Sequence, residues 1–319
     1  MKIVVTGCAG FIGSHLCEKL LTQNHVVYGI DIMNDYYDVK QKEQNLKIIN
    51  NHELKHNFIF RVDDLITTKI ISDVQPDVVV NLGAMAGVRY SLEHPSIYIK
   101  TNIEGQVHLM NECVKNNVKL FVYASSSSVY GLNTKVPFCE TDEIILQNSP
   151  YACSKKAGED FATLYNKLYG LNVIGLRFFT VYGPRGRPDM APFKFLDAII
   201  NNKIFDKFGD GNSYRDYTYI DDIIDGIVSA INNKHNKTCE VYNLGNNKPV
   251  SLNEFIETCE HITGKTATHN IKPIQKGDVP VTYANIDKAI KDLDYLPKTS
   301  LYEGLKKTYE WINTELDKK

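Results

Sequence analysis

Apolar residues in the first half of the chain fall into short unbroken runs, each followed by a longer stretch in which apolar positions recur every three to four residues. The runs Lys2 to Val5, Val26 to Ile30, Phe58 to Arg61, Asp77 to Val80, Leu120 to Tyr123 and Val173 to Leu176 predict six β-strands. Their continuous apolar character predicts strands covered on both faces. Such strands alternating with helices predict an α/β fold: a doubly wound, Rossmann-type parallel sheet. From Thr180 the rhythm breaks. Pro184, Pro188, Pro192 and the Gly209/Gly211 pair mark loops, and helices are predicted near Asp222 to Asn232, Leu252 to Ile262 and Leu301 to Thr314. A smaller mixed α/β region is implied, formed by 180–216 and 251–319, beside a larger one formed by 1–179 and about 217–250. The Asn/Lys-rich stretch Lys47 to Asn57 reads as a solvated helix end and loop.

Composition narrows the classes. With 319 residues, 43% of them hydrophobic and 23% charged, the chain is an ordinary globular one. Lys plus Arg number 36 against 38 Asp plus Glu, which gives no basic field for nucleic acid. The opening apolar run is too short for a signal peptide, and no run of about 18 apolar residues exists to span a bilayer. The expectation is a cytoplasmic protein with no membrane partner. Seven cysteines, at 8, 17, 113, 139, 153, 239 and 259, include no C-x-x-C pair, so reduced thiols and no metal site are expected.

Thr6-Gly7-Cys8-Ala9-Gly10-Phe11-Ile12-Gly13 follows the first strand and opens the first helix. Gly7, Gly10 and Gly13 stand where backbone must turn tightly and approach a pyrophosphate at a helix N-terminus, and Phe11 and Ile12 lie between them. A helix-packing turn is the simpler alternative. Asp31 ends the second strand, 18 residues after Gly13. A carboxylate there accepts the ribose hydroxyls of NAD and repels the extra phosphate of NADP. Asp64 and Leu65 after the third strand, and Leu82, Gly83 and Ala84 after the fourth, stand at successive carboxyl ends and are expected to flank the adenine.

A tyrosine and a lysine four apart share one helical face, where an ammonium can favour phenolate and so make a base. Tyr151/Lys155, Tyr36/Lys40 and Tyr302/Lys306 all have that spacing. Only Tyr151 follows, by 25 residues, a serine cluster leaving a strand, Ser125 to Ser128 in the run ending Val129-Tyr130-Gly131.

The glycine loop, the serine cluster with Val-Tyr-Gly and the Tyr-x-x-x-Lys helix resemble the extended short-chain dehydrogenases/reductases that act on nucleotide sugars, over essentially the whole chain. The resemblance implies bound NAD as cofactor, with Phe178 beside it. Ser126 and Tyr151 would be catalytic, and Lys155 would activate Tyr151 and hold the nicotinamide ribose. Asn102 matches a supporting asparagine, with helix capping or a buried amide role as the alternative. The larger region would bind NAD and the smaller one the nucleotide sugar. A homodimer through a four-helix bundle, from roughly His94 to Asn117 and Pro150 to Tyr169, is the family default.

Within the family, Gly87-Val88-Arg89-Tyr90-Ser91, Phe178-Phe179-Thr180-Val181-Tyr182-Gly183-Pro184 and Gly186-Arg187-Pro188-Asp189-Met190-Ala191 are similar to UDP-glucuronate 4-epimerases. Relatives that dehydrate carry acids where Ser127 and Ser128 stand here, and decarboxylating ones carry an acid at the position of Ser128. What remains is redox at C4. Ser127, Ser128 and Thr180 would cradle a carboxylate, with Arg89 and Arg185 either helping or serving as surface or structural ion-pair residues. The resemblance also implies that Phe208 stacks on uracil, Arg215 binds the diphosphate and Asp278 takes the uridine ribose. The alternatives are a core Phe208 and an Arg215 paired with Asp216 or Asp221. Another C4 epimerase, a dehydratase or dehydrogenase of the family, and a catalytically silent NAD-binding relative are the competing readings.

Overall fold

The computed structural model describes residues 1–188, 190–232, 238–274 and 279–316. Its centre is a seven-stranded sheet made of β1 (Lys2–Thr6), β2 (Val26–Asp31), β3 (Phe58–Val62), β4 (Val78–Asn81), β5 (Leu120–Ser126), β6 (Val173–Phe178) and β7 (Cys239–Leu244). Every pairing is parallel, in the order β7-β6-β5-β4-β1-β2-β3. The six expected strands are present, and the seventh was not foreseen. Cys239–Leu244 lies at the edge and buries only its last three residues, so its sequence lacks a continuous apolar run.

Alternation within β1 sets the two cores. Ile3 and Val5 join Leu16 and Leu20 of the helix Phe11–Thr22 and Ile223 and Ile227 of the helix Ile220–Asn232. Val4 faces the other way, into a cluster with Val79, Phe121, Leu109 and Met110, and with Ala162 and Tyr165 of the helix Pro150–Tyr169. Both faces of the sheet are thus dry, as a parallel sheet requires.

The winding order of the strands reverses between β1 and β4, running one way to β3 and the other to β7 while all strands stay parallel. A crevice at the carboxyl ends of the strands follows from this topology. Thr6 Oγ1 stands at that point, donating to Asn81 Oδ1 at 2.7 Å and accepting the Gly83 N–H at 2.9 Å. The helical stretch from Pro95 to Lys115 carries a wide π turn at Ile99–Glu104. Asn102 sits in that turn and bonds both main-chain groups of Met85, at 2.8 and 2.9 Å, and Ser154 Oγ at 2.9 Å. It therefore ties the loop after β4 to the helix Pro150–Tyr169, and its amide is consumed by structure.

Outside the large sheet, strand Tyr214–Tyr219 pairs with Thr180–Tyr182, Pro249–Ser251 and Val281–Thr282, and strand Phe205–Phe208 pairs with His269–Lys272. Asp222 accepts the Lys298 and Thr299 N–H groups, a structural role. Among the described residues no helix is long and apolar enough to cross a membrane.

Candidate active site

A cavity of about 570 Å³ runs across the carboxyl ends of β1 to β6. At one end lies the glycine turn. Gly7 has φ +66°, and a Cβ there would meet Gly83 N at 2.8 Å. A Cβ on Gly13 would stand 2.1 Å from the Gly7 carbonyl oxygen, so glycine is required for the helix to start this close to β1. The helix Phe11–Thr22 has Gly10 as its cap and no side-chain hydrogen bond closing it. Its first N–H groups are left to the cavity, a cradle suited to a pyrophosphate.

Asp31, 7% exposed, is the carboxylate at this end. It accepts the Met33 N–H at 2.9 Å and the Ala9 N–H at 3.3 Å, and Lys42 Nζ approaches at 3.4 Å. Lys42 also bonds Asn34 Oδ1 at 2.8 Å. Asp64, Leu65, Leu82, Gly83 and Ala84 line the same channel, with Phe11, Ile12 and Phe178. The shape and the donor set fit an NAD: free helix N–H groups for the pyrophosphate, and one buried carboxylate for an adenosine ribose.

At the other end Ser126, Ser127, Ser128, Tyr151, Lys155 and Thr180 line the cavity together. Ser126 ends β5. Ser149 caps the helix Pro150–Tyr169 by accepting the Ala152 N–H at 3.2 Å, and Pro150 at its first position fixes where Tyr151 emerges. Burial pushes the Tyr151 phenol up, while its hydrogen bond with Ser126 and the positive charge of Arg187 pull it down. Lys155 is pushed down to about 8 by burial, and its ammonium donates to Ala124 O at 2.8 Å. The Lys155 ammonium is thus anchored at the end of β5, while Ser126 and Arg187 favour the Tyr151 phenolate.

The carbonyl and hydroxyl groups around this end are held by a buried network. Arg177 makes two 2.8 Å bonds to Glu159 and one of 2.9 Å to the Tyr130 hydroxyl, and Ser125 donates to Glu159 at 2.6 Å. The Tyr130 of Val-Tyr-Gly is thus structural.

The expected substrate residues divide. Ser127, Ser128 and Thr180 lie together, but Arg185 does not join them. Its guanidinium is buried against Glu18 at 2.5 Å, beneath the first helix, and with burial it holds His15 neutral, down to about 3. The residue that reaches the cavity is Arg187. Arg185 has φ +63°, a left-handed residue that turns the chain between the two arginines, and of its two readings the structural ion pair is the one this geometry matches. Arg89 lies outside the cavity lining with its guanidinium over the Phe208 ring at 5.2 Å. Phe208 is half-buried rather than core. Arg215 bonds Tyr214 O at 2.9 Å rather than Asp216, which is buried and accepts the N–H groups of Ala284, Asn246 and Asn247. Asp278 lies outside the described residues.

Tyr36 was set aside as a chance pair with Lys40, yet it also lines the cavity. Its hydroxyl donates to Ala86 O at 2.5 Å and accepts from Arg187 Nη2 at 3.2 Å. No local spacing signals this, because the partners lie 50 and 151 residues away.

Comparison with known proteins agrees with this geometry. The pattern described as "NAD dependent epimerase/dehydratase family" matches residues 3–245. Protein CapI of Staphylococcus aureus is 47% identical, over 98% of both chains. UDP-glucuronate 4-epimerase 2 of Arabidopsis thaliana is 42% identical, over 98% of this chain and 75% of that one. The crystal structure of the UDP-glucuronic acid 4-epimerase from Bacillus cereus, in complex with UDP-glucuronic acid and NAD, superposes with a TM-score of 0.93. It is 37% identical, over 99% of this chain and 100% of the other.

Proposed function

The chain belongs to the NAD dependent epimerase/dehydratase family, and we propose that it is an NAD-dependent UDP-sugar 4-epimerase interconverting UDP-glucuronate and UDP-galacturonate. The observation that carries this is the sugar end of the cavity. Ser126 and Tyr151 stand beside the three hydroxyls of Ser127, Ser128 and Thr180, and the described acidic lining residues are Asp31, Asp63 and Asp64, all after β2 and β3. An acid beside the hydroxyls would repel a uronate carboxylate and would supply the proton transfers of an elimination. The relatives named for UDP-glucuronate 4-epimerisation support the same substrate.

Gly7, Gly10, Phe11, Ile12, Gly13, Asp31, Asp64, Leu65, Leu82, Gly83, Ala84, Phe178 and Lys155 would hold the cofactor. NAD held there would supply the hydride acceptor and donor for C4 of the sugar. The protein's own part begins with Tyr151, which takes the proton of the C4 hydroxyl while Ser126 shares its hydrogen bond. The 4-keto sugar turns over, and Tyr151 gives the proton back. A 4-keto uronate is a β-keto acid and loses carbon dioxide when its carboxylate bond stands perpendicular to the carbonyl plane. Ser127, Ser128 and Thr180 hold the carboxylate near that plane and suppress the loss.

Phe208, with Arg89 over its ring, and Arg215 form the nucleotide end. Residues 1–179 with about 217–250 bind NAD, and 180–216 with 251–319 bind the nucleotide sugar. The helical stretch Pro95 to Lys115 and the helix Pro150–Tyr169 expose Ile99, Leu164 and Leu168, apolar side chains that a second copy would cover in a four-helix bundle. Sedimentation at micromolar concentration should give a dimer. The cytoplasm, where its thiols stay reduced, is the compartment this reading assigns. Formation of UDP-galacturonate from UDP-glucuronate with no NAD added tests the proposal; unchanged substrate would direct attention to neutral and N-acetylated UDP-hexoses.

A further inference from the structure

We propose that Tyr36 and Gln41, on the segment that follows β2 at the cofactor end of the cavity, are positioning residues that hold Arg187 beside Tyr151 at the sugar end. This inference rests on the functional reading above and assigns a control to the same site.

Three observations converge on the short loop that carries Arg187. Tyr36 accepts from Arg187 Nη2 at 3.2 Å, and the Arg187 guanidinium lies over the Tyr36 ring at 5.1 Å. The ring is itself fixed, by the 2.5 Å bond of its hydroxyl to Ala86 O and by edge contact with Tyr90 at 5.0 Å. Five residues on, the Gln41 amide donates to Arg185 O at 2.8 Å and to Gly186 O at 3.1 Å. Those bonds hold the chain where Arg185 is left-handed, a conformation uncommon for a residue other than glycine. One segment therefore grips the Arg187 loop twice, by side chain and by backbone. The same segment opens with Asp31 and Asn34 and continues to Lys42, the groups at the ribose end of the cofactor channel. The last contact is close packing at Gly87, where a Cβ would stand 3.0 Å from the Tyr36 hydroxyl and 3.9 Å from Arg187 Nη2.

The consequence is electrostatic. Among the described residues, the titratable and charged groups around Tyr151 are Arg187, Tyr36, Tyr98 at 6.0 Å between rings, and Lys155, turned to Ala124. Arg187 favours the Tyr151 phenolate and Tyr36 opposes it. Removing the Tyr36 hydroxyl, which donates to Ala86 O and accepts from Arg187, acts on Tyr151 through the arginine: release of the guanidinium raises the Tyr151 transition.

The test is Tyr36→Phe, which keeps the ring, with Gln41→Ala as a second variant that leaves the tyrosine intact. Each is made in the wild-type and Arg187→Ala backgrounds. The ionisation of Tyr151 is read as the ultraviolet difference between each protein and its Tyr151→Phe counterpart, which requires no turnover and so separates this inference from the substrate assignment. The expected result is a Tyr151 transition and an acid limb of kcat both displaced to higher pH. At neutral pH kcat should fall about three- to tenfold, with the NAD retained on purification unchanged. In the Arg187→Ala background neither variant should add a further shift. A transition that stays in place, one that moves to lower pH, an undiminished effect without Arg187, or a loss of activity matched by loss of bound NAD would each overturn the proposal. Failure of wild-type protein to epimerise UDP-glucuronate would instead refute the functional reading and leave the spectroscopic test standing.

Discussion

The ammonium of Lys155 lies 2.8 Å from the carbonyl oxygen of Ala124, the residue two before Ser126 at the end of β5. A lysine four residues after a tyrosine shares its helical face, yet here it is anchored to the strand rather than to the phenol. Burial depresses it to about 8, so its charge is held at a cost that one hydrogen bond only partly offsets. Lys155→Met should fold, because a methionine fills the same space without a buried charge. It should lose turnover by about 10²–10⁴-fold, as measured by epimer formation at saturating substrate.

Tyr151 works as a base only when deprotonated, and burial already raises its phenol above the ordinary tyrosine value. The Ser126 hydrogen bond acts against that rise. Ser126→Ala should therefore displace the acid limb of the kcat profile to higher pH. Less phenolate is then present at neutral pH, and the loss should shrink as pH rises. A variant slowed equally at every pH would show that Ser126 acts on the substrate alone.

The hydroxyl group of Ser127, Ser128 and Thr180 has a product signature. Thr180→Ala combined with Ser127→Ala should slow epimerisation and divert part of the 4-keto intermediate to a UDP-pentose, detected by NMR after overnight incubation. Neither pentose nor a slower rate would show that these hydroxyls do not control the carboxylate.

Gly13→Ala places a methyl 2.1 Å from the Gly7 carbonyl oxygen, with backbone on both sides of the clash. Such overpacking costs about 1–3 kcal/mol. Since the displaced turn is also the proposed pyrophosphate cradle, the purified variant should carry little NAD, as measured by acid extraction, and should melt at a lower temperature.

The sheet was legible because its central strands are buried on both faces and so write themselves as apolar runs, and the exposed edge strand β3 still carries Phe58, Ile59, Phe60 and Val62. β7 was not, because its outer residues Cys239, Glu240 and Val241 are only partly covered. Gly7, Gly13 and Asp31 could be found from spacing because they belong to one turn and the strand beside it. Ser126 and Tyr151 could be found because each stands at a fixed position on its own strand or helix. The choice between Arg185 and Arg187 could not be made, since it depends on a left-handed residue and on Glu18, which lies 167 residues away. Tyr36 was hidden for the same reason: its role arises from the carbonyl of Ala86 and from Arg187, both distant in sequence.

The central claim is that one resident NAD takes a hydride from C4 and gives it back to the same sugar. UDP-glucuronate deuterated at C4, incubated in ordinary water with purified protein and no added cofactor, tests it most directly. The account predicts UDP-galacturonate that retains deuterium at C4, with no free NADH and no pentose. Product with hydrogen at C4, stoichiometric release of NADH, or no galacturonate at all would contradict it.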